Sequence, residues 1–90
     1  MSLKDQLIKK LESRVNALEK EAEAEKAEAA KKQAEAETEE AGAEIKSEFT
    51  EKIRSIQSDI TTVKTRLDEI KIAGEERMEE FKRQIGDWIG

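Results

Sequence analysis

The stretch FTEKIRSIQSDITTVKTRLDEI, residues 49–70, decides the fold. Its large apolar residues, Phe49, Ile53, Ile56, Ile60, Val63, Leu67 and Ile70, follow one another at intervals of 4, 3, 4, 3, 4 and 3. An average spacing of 3.5 puts them all on one narrow stripe of an α-helix. The residues between them are mostly Lys, Arg, Glu, Asp, Gln, Ser and Thr, which suit water and cannot form a second buried face. A lone helix cannot cover its own stripe, so the pattern predicts another helix lying over it.

Composition agrees with helix and argues against a multilayered core. Of the 90 residues, 36% are hydrophobic, 43% charged and 3% aromatic, with no Pro. Low hydrophobicity with abundant charge is also the signature of disorder. Two features oppose that reading: the charges are mixed in sign, giving a net of −5, and the apolar residues are periodic. The absence of Cys and His removes thiol chemistry and the commonest metal ligand and general base. No apolar leader-like segment and no membrane-length apolar run is present, which points to a cytoplasmic protein. A pI near 4.9 disfavours nonspecific nucleic-acid binding, because phosphate would be repelled overall.

Toward the N-terminus, Ser2 followed by Asp5 resembles a capping box and predicts a helix start. Leu3, Leu7, Leu11, Val15, Leu18 and Ala22 continue from it at 4, 4, 4, 3 and 4, a drift that favours a nearly straight seam. Lys9, Lys10 and Arg14 lie off the stripe and read as a solvated face. Residues 19–44 then hold ten Glu against four Lys. Within them Ala22, Ala29, Ala36 and Ala43 recur every seven residues, as do Ala27, Ala34 and Ala41. Such columns form either a slim packing face or a solvated helical spacer supported by pairs such as Glu28 with Lys32.

Gly42 is the natural place for a turn in this region, although Glu37, Glu39 and Glu40 would then crowd the end of the first helix, where the macrodipole prefers cations. A fold-back there makes residues whose numbers sum to about 84 face one another, setting small residues against large ones. Gly74 marks a second break, with Lys64, Arg66 and Lys71 before it and Glu75 and Glu76 after it. The helix beyond carries Met78, Phe81, Ile85, Trp88 and Ile89 on one face. That face reads as a cap on the hairpin, a joint between subunits, a membrane-surface anchor, or an anchor set for a partner groove.

No catalytic, cofactor-binding or metal-binding set emerges. The cluster Glu35, Glu37, Glu39, Glu40 and Glu44 lacks the Asp-rich, Gly-bearing loop of a calcium site. Carboxylates on a solvated helix are neither fixed nor desolvated as acid–base chemistry requires. The expectation is therefore a protein that is not an enzyme and uses no cofactor.

The opening amphipathic helix (Leu7-Ile8-Lys9-Lys10-Leu11-Glu12), the Glu/Ala/Lys stretch, and the second seam running from Arg66-Leu67-Asp68-Glu69-Ile70 to Met78-Glu79-Glu80-Phe81-Lys82 resemble small bacterial coiled-coil proteins associated with stress responses. The resemblance implies a class of protein, with Trp88 as the closing-helix Trp, and assigns no functional residue.

Together these features predict one all-α coiled-coil domain over residues 1–90: an antiparallel hairpin with helix 1 over about 3–41, helix 2 over about 43–72, and a short amphipathic helix over about 75–89. Its association seam would be Leu7, Leu11, Val15, Leu18, Phe49, Ile53, Ile56, Ile60, Val63, Leu67 and Ile70. Small two-helix cores usually need a staple, so a homo-oligomer, dimer or tetramer, is expected. The expected function is a structural or protein-interaction module, with Met78 to Ile89 as the contact face. The alternatives are a peripheral membrane-surface protein using that face and a continuous helical rod of about 135 Å.

Overall fold

The computed structural model describes residues 2–89, the side chains of residues 87–89 excepted. The chain is an all-α helical hairpin with a short C-terminal helix. Helix α1 spans Leu3–Glu35, α2 spans Glu39–Ile72 and α3 spans Met78–Ile89, with a single 3-10 turn at Glu75–Arg77 ahead of α3. The two long helices pack against each other, so the continuous rod does not occur.

Each boundary has a local cause. The Ser2 hydroxyl accepts the Asp5 backbone N–H at 3.1 Å, capping α1. The reversal falls on residues 36–38, upstream of the expected Gly42, and Gly42 lies inside α2. Thr38 explains the shift. Its hydroxyl accepts the Ala41 backbone N–H at 3.0 Å, and its carbonyl accepts that of Gly42 at 3.1 Å, so Thr38 caps the second helix. Glu39 and Glu40 thereby occupy the first turn of α2, where the macrodipole favours carboxylates, and Lys32 occupies the last turn of α1. The acidic crowding that a turn at Gly42 would have created does not arise.

Moving the turn changes the register. Gln33 donates to the Gly42 carbonyl at 3.5 Å, and Lys4 to the Ala73 carbonyl at 2.8 Å, so facing residues sum to about 75–77 rather than 84. The Ala-rich part of α1 consequently lies beside the beginning of α2. Of the two Ala columns, the one turned toward α2 starts at Ala22, which is buried, and continues through Ala29 and Ala36, which are partly buried; Ala27 and Ala34 are exposed.

The second break follows Ile72. Lys4 supplies an ammonium to the Ala73 carbonyl beyond the end of α2, and Lys71 adds a cation to its last turn. Gly74 is extended, at φ −81° and ψ 167°, and not left-handed. A Cβ there would meet the Glu76 carboxylate, the mobile end of a flexible side chain.

By internal packing the chain forms two compact units, Met1–Ala17 with Thr61–Gly90 (the terminal unit) and Leu18–Ile60 (the turn unit). In the terminal unit the core is Leu7, Leu11, Val15, Val63, Leu67, Ile70, Ala73, Met78, Phe81 and Ile85. In the turn unit it is Leu18, Ala22, Phe49 and Ile56.

Candidate interaction surface

A heptad stripe on α2 has two columns, and the structure treats them differently. Phe49, Ile56, Val63 and Ile70 form one, and all four are buried. Ile53, Ile60 and Leu67 form the other; Leu67 is buried, whereas Ile53 and Ile60 are partly exposed. At about 100° per residue, Ile53 and Ile60 sit roughly 40° to one side of the line through Phe49 and Ile56. They are the apolar side chains of the predicted seam that the turn unit leaves incompletely covered. The remaining seam positions, Leu7, Leu11, Val15 and Leu18, are buried within the single chain.

Phe49 anchors the turn unit and carries a feature that the spacing did not reveal. The Lys32 ammonium lies 5.4 Å from its ring centroid and that of Lys52 lies 5.2 Å away. Each lysine also meets a glutamate one turn earlier, Lys32 with Glu28 at 3.9 Å and Lys52 with Glu48 at 3.8 Å. Because these side chains are about half exposed, each ion pair contributes little, on the order of 0.3–0.5 kcal/mol. Together they shield the ring from water on the side where no third helix is present. The signal available in the sequence was Lys52 three residues after Phe49, a helical neighbour; nothing local pointed to Lys32.

In the terminal unit the amphipathic face of α3 turns inward. Met78 and Ile85 are 0% exposed and Phe81 is 2% exposed, so these three residues are core and not an open contact face. The Arg77 guanidinium stacks 5.0 Å from the Phe81 centroid and reaches Glu80 at 3.8 Å. The side chains of Trp88 and Ile89, the other two residues of that predicted face, lie outside the described residues. Ile72, at the end of α2, is a strongly exposed large apolar side chain, at 89%.

Among the described residues, no group of three or more acidic side chains is placed to hold a metal ion, and no helix is long and apolar enough to cross a membrane. The cavity lined by Glu51, Arg54, Ser55, Ser58 and Asp59 is a shallow shelf on one side of α2, lined by polar residues of that single helix. A shelf built by one helix neither desolvates nor converges groups on a ligand.

Comparison with protein-family models, with curated proteins and with solved structures finds no match to this chain.

Proposed function

We propose that the chain is a structural, protein-interaction hairpin that self-associates through the part of its seam left uncovered by one chain. The observation that carries this reading is the partial exposure of Ile53 and Ile60 beside the buried Phe49 and Ile56. A two-helix layer has no third element to close its second column, and a neighbouring helix supplies the missing side. The membrane-surface alternative draws no support from Met78, Phe81 and Ile85, because the side chains that would enter lipid are buried. A role in stress responses rests on the sequence resemblance alone.

Sedimentation equilibrium tests the reading. The wild type is expected above the monomer mass of 10.2 kDa at micromolar concentration. The double variant Ile53→Lys, Ile60→Lys is expected at the monomer mass with its helical circular dichroism retained, since both positions already reach solvent. A wild type that sediments as a monomer over the whole concentration range would remove the proposal.

A further inference from the structure

We infer that α3 is an exchangeable arm: at high concentration α2 and α3 straighten into one helix, and α3 leaves its own terminal unit to fill the same place in the terminal unit of a second copy. Because the two copies are identical, Met78, Phe81 and Ile85 are buried there as they are at home, and no new surface has to be made. This goes beyond association through Ile53 and Ile60, which lie in the turn unit.

The apolar pattern runs through the break without losing its phase. Val63, Leu67, Ile70, Met78, Phe81 and Ile85 are all buried. At about 100° per residue, a straight helix would hold all six within one arc of about 80°. A bend that only returns α3 onto its own unit sets no such condition, because it redirects whatever follows it. A continuous helix does set it, since one face must then meet the second copy.

The break itself is lightly fastened. Residues 71–78 read KIAGEERM, and apart from Gly74 they are residues that a helix interior accepts. Gly74 precedes the 3-10 turn with no side-chain capping bond, and its backbone is extended and not left-handed. The Lys4 ammonium holds the Ala73 carbonyl at 2.8 Å, and the Arg77 N–H donates to the Gly74 carbonyl at 3.1 Å. Straightening replaces both bonds locally: the Arg77 N–H moves to the Ala73 carbonyl, four residues back, and the Met78 N–H takes the Gly74 carbonyl. What the bend alone provides is the Lys4 ammonium and a helix start for the acids Glu75 and Glu76, which favours the bent chain when dilute. Concentration then drives the exchange.

Two hinge substitutions of opposite effect test this, both made in the Ile53→Lys, Ile60→Lys chain so that the flank takes no part. Gly74→Ala favours the straight helix by about fourfold per chain, so sedimentation equilibrium should show dimerisation tightened by about fifteenfold. Adding Glu75→Pro should return the chain to a monomer with its helical circular dichroism kept. Position 75 opens the 3-10 turn and follows a residue at ψ 167°, where Pro fits the bend, whereas inside a straight helix Pro is a breaker. Spin labels at Thr65→Cys and Arg83→Cys, both exposed and with no native Cys to interfere, report the hinge within one chain diluted in unlabelled protein. The straight helix sets the two sites about 27 Å apart along its axis, and any bend shortens that. The expected result is a dimer at the straight-helix distance. A Gly74→Ala chain that stays monomeric at every concentration, a dimer that Glu75→Pro leaves intact, or a dimer that keeps the distance of the monomer would each overturn the exchange. None of these outcomes bears on the Ile53–Ile60 flank, whose failure shows separately in the sedimentation of the wild type.

Discussion

The terminal and turn units are built from the same two helices and the same kind of seam, yet they bury very different amounts. Among the described residues, ten of the fourteen buried apolar side chains belong to the terminal unit and four to the turn unit. The terminal unit contains α3, whose Met78, Phe81 and Ile85 are among the most deeply buried side chains, and the turn unit has no counterpart. A seam becomes a core only when a third element closes it. Where that element is missing, the chain relies on Leu18, Phe49 and Ile56, the single column of Ala22, Ala29 and Ala36, and two lysines over a ring.

The largest expected effect comes from removing the aromatic anchor of each unit. Phe81→Ala should cost about 4 kcal/mol, since a site enclosed by three helices cannot collapse around the cavity. Phe49→Ala should cost about 3 kcal/mol, because a two-helix site relaxes more readily. Urea denaturation of both variants measures the difference; a larger loss at Phe49 would break the comparison.

A smaller effect, about 1 kcal/mol, is expected for Thr38→Ala, which removes the cap of α2. Loss of thermal stability without loss of helix content would sharpen the assignment of the turn; unchanged stability would contradict it. Smaller still, and opposite in sign, is Gly42→Ala. A Cβ at Gly42 would meet only the Ala36 Cβ, at an ordinary 3.9 Å, so the exchange should stabilise by about 0.5–1 kcal/mol. If Gly42 were the turn, the same substitution would destabilise, so the sign of the change in melting temperature decides between the two.

That contrast shows what the sequence made legible. The all-α class followed from one 3.5-residue period and the lack of Pro; the hairpin, with a continuous rod as its alternative, was argued from a fold-back at Gly42 that set small residues against large ones, in a register the structure does not keep. Gly42 misled because glycine is the louder punctuation mark, while the quieter signal was Thr38 followed by Glu39 and Glu40, a hydroxyl cap with acids in the first turn. Reading those three residues would also have relieved the misplaced charge that a turn at Gly42 required. For the candidate surface, the period located Ile53 and Ile60 but could not rank them below Phe49 and Ile56. Partial exposure depends on where the opposing helix lies, and an error of about eight residues in register hides that. Likewise, the inward turn of Met78, Phe81 and Ile85 was not fixed by amphipathicity, which states that a face will be covered and leaves open by what.

The capped reversal at Thr38 also bears on how the chain finds its fold. The Gln33–Gly42 bond closes a separation of 9 residues, whereas the Lys4–Ala73 bond closes one of 69. Loop-closure entropy makes the longer closure costlier by about 2 kcal/mol if the intervening chain is unstructured. Pairing that starts at Thr38 and advances along the two helices avoids most of that cost, because each new turn closes a loop already shortened by the last. The part of the molecule with the smaller core is then the part that forms first, and damage to the Thr38 cap should register in the rate of folding more than in the rate of unfolding.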